Sequence, residues 1–243
     1  MKSLIYAHRG ASGDAPENTM AAFRLAVQQG AEGIELDIQM SQDGELVVIH
    51  DESLDRTTNG SGLVAHHRVA ELKRLDASNR FPEYRGESIP LLQEVLEYLA
   101  PTSLELNIEL KNGIILYEGM EEKVIRLVKE YAMENRIVFS SFNHYTLVKL
   151  ARLAPDIERG ILYGEGLYEP WKYATSIKAA ALHAHYFAVH PEIVAGAHAA
   201  GVKIRPWTVN EDADIRRMIA MGVDAVITNY PARMKAIREQ MAV

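Results

Sequence analysis

The sequence predicts an α/β protein, a (β/α)8 TIM barrel with a small insertion after the second strand, and three observations predict it. Short apolar runs suited to strands alternate with amphipathic helical stretches from end to end. Eight such strand–helix units fit into 243 residues, and about 250 residues is an ordinary length for that barrel. The polar residues able to do chemistry fall at the C-terminal ends of the strand-like runs, the face on which such barrels carry their sites.

Leu4–Ala7 is the first strand. Thr19–Gln29 is the first helix, with Ala22, Phe23, Ala26 and Val27 on one face and Gly30 as its stop. Gly33–Ile38 is the second strand, and Gln42-Asp43-Gly44 turns it into Glu45–Ile49 as a small hairpin. Residues 51 to about 90 are polar and rich in Gly and Pro, an irregular insertion with one short helix near Val69–Leu75. The rhythm resumes with a helix over Leu91–Leu99, a strand over Leu104–Leu110 and a helix over Glu121–Met133. Strand Ile137–Ser140, helix Tyr145–Leu153 and strand Ile157–Leu162 follow. Pro170–Ala180 is read as helix, Ala181–His183 as strand and Pro191–Ala200 as helix closed by Gly201. Strand Val202–Thr208, helix Glu211–Met221, strand Val223–Thr228 and helix Ala232–Met241 complete the count. One catalytic domain over residues 1–243, carrying the insertion at about 51–90, is the expected organisation.

Composition narrows the chemistry. Hydrophobic residues make up 48% of the chain and charged residues 24%, which suits a globular core. The formal charge is -7 with no basic block, so nucleic acid is not an expected partner. An anionic substrate would have to be drawn by a local positive site. The absence of cysteine excludes disulfides, thiolate metal sites and thiol chemistry. No segment reaches the ~18 apolar residues of a membrane helix, and Leu4–Ala7 is too short for a signal sequence, so no stable membrane insertion and a cytoplasmic location are expected. The oligomeric state is not legible.

The first fifty residues carry the densest signal. His8-Arg9-Gly10, Glu35-Leu36-Asp37 and His50-Asp51 put two imidazoles, an arginine and a carboxylate pair at strand ends. Glu35 and Asp37, one residue apart on a strand, share a face and can share a hard cation. On the third barrel strand Leu104, Leu106, Ile108 and Leu110 alternate with Glu105, Asn107, Glu109 and Lys111, so the polar set should point into the barrel. A buried charge there needs a partner or a metal, which gives Glu109 reason to join Glu35 and Asp37. Three carboxylates and no thiol select one divalent ion such as Mg²⁺ or Ca²⁺ over Zn²⁺; the competing reading is that they only pair with Arg9 and Lys111. Two histidines bracketing the carboxylates suit general acid–base catalysis, and arginine suits phosphate. Together these point to metal-assisted cleavage of a phosphate ester.

At the rim, Trp207 and Phe142 are expected to line the pocket, with Trp171 and Tyr163 as weaker candidates. Glu17 either precedes a helix cap at Asn18 or Thr19 or reaches back to orient a site group. His183, His185 and His190 are read as structural or surface residues, one of which could line the pocket; His66, His67 and His198 are read as solvated.

Ala7-His8-Arg9-Gly10, Pro16-Glu17-Asn18-Thr19, Glu35-Leu36-Asp37, His50-Asp51, Arg56-Thr57-Thr58, Asn107–Lys111, Trp207–Asn210 and Gly222–Pro231 form an ordered series along nearly the whole chain. In that series the sequence resembles the glycerophosphodiester phosphodiesterases. The resemblance implies hydrolysis of glycerophosphodiesters, such as glycerophosphocholine or glycerophosphoethanolamine, to sn-glycerol 3-phosphate and an alcohol. It implies a divalent metal on Glu35, Asp37 and Glu109, His8 and His50 as the acid–base pair, and Arg9 and Lys111 as phosphate contacts. A Schiff-base lysine at Lys111 is the rival on the same fold, but carboxylates around it favour its ammonium form. An enzyme acting on intact lipids would want an exposed apolar or basic face, and no stretch of the sequence shows one. A non-catalytic binding barrel would be marked by loss of a histidine or carboxylate, and all are present.

Overall fold

The computed structural model describes residues 3–242. Its elements run β1 Leu4–His8, α1 Met20–Gln28, β2 Gly33–Met40, β3 Leu46–Val48, α2 Val69–Leu72, α3 Leu92–Leu99, β4 Glu105–Leu110, α4 Met120–Glu130 and β5 Ile137–Ser141. Then come α5 His144–Leu153, β6 Glu158–Tyr163, α6 Pro170–Ser176, β7 Ala181–Ala184, α7 Pro191–Ala199, β8 Lys203–Ile204, α8 Asp212–Met221, β9 Ala225–Thr228 and α9 Pro231–Met241. Strand neighbours follow the order β8-β7-β6-β5-β4-β2-β1-β9, and β3 pairs only with β2. Every barrel pairing is parallel, whereas β3 runs antiparallel to β2. The two ends of the order meet through backbone bonds of 2.9 Å: Asp224 to the carbonyl of Ile204, Ile227 to that of Pro206, and Val209 to that of Ile227. The sheet therefore closes, and the (β/α)8 expectation holds.

Alternation along each strand sorts side chains between two environments. On β2, Ile34, Leu36 and Ile38 pack outward against Phe23, Leu92 and Val95 in the main apolar core. Glu35, Asp37 and Gln39 are left for the inside, and all three are buried. The interior below the mouth is polar for its depth. Tyr6 donates its hydroxyl to Glu105, and the fully buried Arg205 lies 2.6 Å from Glu158 and 5.7 Å from the Tyr6 ring centroid. Burial and then the Arg205 charge hold His183 neutral. Glycines make room for these large groups. A Cβ on Gly33 would stand 2.5 Å from the Tyr6 ring, and one on Gly160 2.5 Å from His183. Gly33→Ala should therefore cost about 1–3 kcal/mol of stability by overpacking. Urea unfolding measures it, and a change within about 0.5 kcal/mol, as for a surface site, would contradict this packing.

The insertion between β3 and α3 has a small core of its own, in which Leu54, Val64, Leu72, Ala77 and Ile89 pack on Val47 and Ile49 of the hairpin. Three elements are shorter than their sequence patterns. The helix near residue 69 stops at Leu72. The helix from Pro170 ends at Ser176, and Lys178 then takes a left-handed conformation (φ 59°) that turns the chain into β7. The ladder of β8 covers only Lys203 and Ile204, although Arg205 and Trp207 still donate to the carbonyls of Leu182 and Ala184; Pro206 between them has no N–H to give on the β9 side. No helix among the described residues is long and apolar enough to cross a membrane. Ile114, Leu116, Phe142, Tyr168 and Phe187, from the loops after β4, β5, β6 and β7, and Tyr145 in the first turn of α5 are nevertheless exposed. These residues come from separate segments of the chain, so no single stretch of sequence displays them.

Candidate active site

β1 delivers His8 and then turns sharply. Arg9 is left-handed (φ 55°) and so is Gly10 (φ 79°), where a Cβ would lie 2.7 Å from Ala22. Only glycine fits that approach. The turn makes Arg9 a hub: its N–H donates to Glu35 (2.9 Å), its Nε lies 3.2 Å from Asp37, and its Nη1 donates to Glu17 (2.9 Å). Strand register sets the rest of the layer, with His8 opposite Glu35 and Asp37 opposite Glu109.

Ligand oxygens of Glu35, Asp37 and Glu109 lie within 4.8 Å of one another. All three residues are buried, with relative exposures of 4, 0 and 8%. The rival pairing does form, since Lys111 Nζ is 3.0 Å from Glu109 and Arg9 reaches Asp37. It does not use the whole cluster, because Asp37 Oδ1 is buried without a hydrogen-bond partner. Burial and then the Asp37 charge raise Glu35 well above the usual carboxylate range, and the same two causes push Glu109 up to about 7. Asp37 goes the other way: burial opposes ionisation, but Arg9, His50 and Lys111 outweigh it. An oxygen-only cluster holding protons and an orphaned carboxylate oxygen fits a hard divalent ion.

A pH dependence follows. Glu35 and Glu109 have folded-state pKa values above their unfolded ones, so the stability they contribute to the metal-free protein is present below about 4.5 and is lost as pH rises, through about 7 for Glu109 and through its own raised value for Glu35. A cation displaces those protons. The increase in Tm on adding Mg²⁺ or Ca²⁺ should therefore be larger at pH 8 than at pH 6. Equal increases at both pH values would contradict protonated carboxylates in the metal-free protein.

The two histidines are held differently. His8 Nδ1 is 2.7 Å from Asn229 Oδ1, an acceptor, so Nδ1 carries the proton and Nε2 keeps its lone pair. Burial, followed by the Arg9 charge, pushes His8 down to about 3. His50 instead has Nδ1 2.6 Å from the carboxylate of Asp51 and accepts from Lys111 at Nε2 (3.1 Å).

Between these groups lies a cavity of about 50 Å³, with His8, Arg9, Glu35, His50, Asn107 and Glu109 on its polar side. Phe142, Leu162, Trp207 and Ile227 form its apolar side. Trp207 is fixed by donating Nε1 to the carbonyl of His183 (2.7 Å), and Phe142 meets it edge to face at 5.5 Å.

The structure thus brings the ten candidate residues into one neighbourhood. Glu17 is the exception in kind: its oxygens accept from Arg9 (2.9 Å) and from Arg56 (2.7 and 2.8 Å), so it braces two arginines. Trp171 and Tyr163 pack into the outer core. None of His183, His185 and His190 lines the cavity; His183 is fully buried beneath it and His185 packs on Trp207 at 5.2 Å. His198 is paired with Asp224 at 2.9 Å and not merely solvated. Four residues have supporting roles that the sequence reading did not assign them. Asn18, left-handed at φ 56°, donates to Asp37 (2.9 Å), leaving Thr19 as the cap of α1. Asn229 orients His8, Asp51 orients His50, and Arg56 ties Asp51 to Glu17. All four stand inside the motifs quoted above, which was the available signal.

Fold and mouth together define a barrel enzyme of the class that cleaves phosphate esters. More particularly, residues 8–233 match the Glycerophosphoryl diester phosphodiesterase family, and the chain belongs to that family. It is 51% identical over 232 residues to a glycerophosphodiester phosphodiesterase of Caldanaerobacter subterraneus subsp. tengcongensis, covering 95% of this chain and 96% of the relative. It is 46% identical to one from Bacillus altitudinis, over 98% of each chain. Among solved structures, an Oleispira antarctica phosphodiesterase in complex with the product sn-glycerol-3-phosphate superposes with a TM-score of 0.88 at 36% identity, covering 98% of this chain and 97% of that one. The chain is accordingly a glycerophosphodiester phosphodiesterase.

Proposed function

We propose that this enzyme hydrolyses small glycerophosphodiesters to sn-glycerol 3-phosphate and an alcohol, with one divalent ion, Mg²⁺ or Ca²⁺, on Glu35, Asp37 and Glu109. The observation that carries the reading is the buried carboxylate triad with its unpartnered Asp37 oxygen, flanked by two differently held imidazoles. The product bound by the Oleispira relative supports the same reaction. The bound cation supplies positive charge to the phosphate oxygens as charge builds on them.

The protein's own residues divide the remaining work. Arg9 and Lys111 contact the phosphate, with Arg9 held in place by Glu17. Trp207 and Phe142 offer an apolar wall to the carbons of glycerol. His8, neutral and with Nε2 unprotonated, is the base that takes the proton of the attacking oxygen. His50, with Nδ1 held by Asp51 and Nε2 beside Lys111, is the acid that protonates the departing alcohol. The attacking oxygen is the glycerol 2-hydroxyl or a water. ³¹P NMR of a reaction on glycerophosphocholine tests the proposal: sn-glycerol 3-phosphate should accumulate, and a transient cyclic phosphate would identify the 2-hydroxyl. Phosphocholine as product would contradict the assignment of the cleaved bond.

A further inference from the structure

Two unlike cavities meet at His8 and Arg9. One is the roughly 50 Å³ pocket walled by Phe142 and Trp207; the other is a polar cleft of about 260 Å³ between the turn after β1 and the insertion. The substrate's constant half, glycerol, is small and suits the first. The variable alcohol needs the larger space.

The cleft is poorly equipped for an ammonium group. Glu17 is its only lining carboxylate, and both oxygens already accept from Arg9 and Arg56. Phe81 is its only aromatic, and the Arg80 guanidinium sits over that ring at 5.1 Å. A choline head would meet an occupied carboxylate, an occupied ring face and a like charge. Donors, by contrast, are plentiful. Among the described residues Arg80 has no ion pair, and Asn229 gives His8 its carbonyl oxygen while its amide NH₂ has no partner.

Resting on the phosphodiesterase reading above, we infer that the cleft lined by Arg80 is the leaving-alcohol subsite and selects hydroxyl-rich alcohols over ammonium alcohols. Arg80 is exposed, so its replacement should leave the fold intact.

The test compares kcat/KM for glycerophosphoinositol and glycerophosphocholine in the metal-loaded enzyme and in Arg80→Glu and Arg80→Gln. The wild type should prefer the inositol substrate by roughly tenfold. Arg80→Glu should narrow that ratio roughly three- to tenfold, the scale of an exposed charge, and Arg80→Gln should narrow it less. Both substrates cleaved equally well, or a ratio that neither variant changes, would overturn the inference while leaving the phosphodiesterase reading in place. Cleavage of neither substrate would overturn both.

Discussion

His8→Ala and His50→Ala should each lower kcat by about 10² or more on a natural diester, the usual contribution of a placed acid or base. The two losses should differ in their cure. His50 is held at Nδ1 by Asp51 and is assigned the acid, whereas burial and Arg9 keep His8 unprotonated and assign it the base. A leaving group that departs as a stable anion needs no acid. Activity of His50→Ala should therefore recover substantially on a p-nitrophenyl diester, while His8→Ala should stay impaired on both substrates. Recovery of His8→Ala alone would reverse the roles. Near-normal turnover in either variant on the natural diester would remove that residue from the mechanism.

Asp37→Asn should be at least as damaging, on the order of 10³ in rate, since it withdraws the several kcal/mol of charge stabilisation that a bound cation supplies. Asp37 is the most enclosed of the three carboxylates, with 0% exposure, and is the one kept ionised by Arg9, His50 and Lys111. The near-isosteric amide keeps shape and leaves Arg9 its bond to Glu17. Calorimetric titration should show metal binding lost or weakened by at least tenfold. Unchanged metal affinity would mean that Asp37 serves only as the partner of Arg9. Glu109→Gln should be milder and show as a raised metal requirement, because Lys111 already shares that carboxylate.

Much of this site was legible because barrel geometry is periodic. Strand alternation turns Glu109 into the barrel, the cost of a buried charge gives it reason to join Glu35 and Asp37, and β2–β4 register does bring Asp37 opposite Glu109. What periodicity cannot convey is who holds whom across distant segments. Asn18 read as a helix cap, yet its left-handed backbone aims the amide at Asp37. Asn229 lies 221 positions from His8, and only barrel closure brings them within 2.7 Å. Glu17 was one of two open readings until Arg56, from an insertion with no regular pattern, was seen to share its oxygens. Of the two readings of His183, structural and surface, the structural one holds, because Gly160 on the neighbouring strand gives it a place inside the barrel. The short β8 illustrates the opposite limit: Val202–Thr208 has strand composition, but the regular ladder covers only Lys203 and Ile204.

The most direct test of the account is sn-glycerol 3-phosphate release from a glycerophosphodiester by enzyme stripped with EDTA, before and after Mg²⁺ or Ca²⁺ is added back. The account predicts negligible release without metal and recovery with it, saturating in step with metal bound to wild type and absent in Asp37→Asn. Full release from metal-free, folded enzyme would contradict the central claim that the Glu35–Asp37–Glu109 cluster is a catalytic cation site.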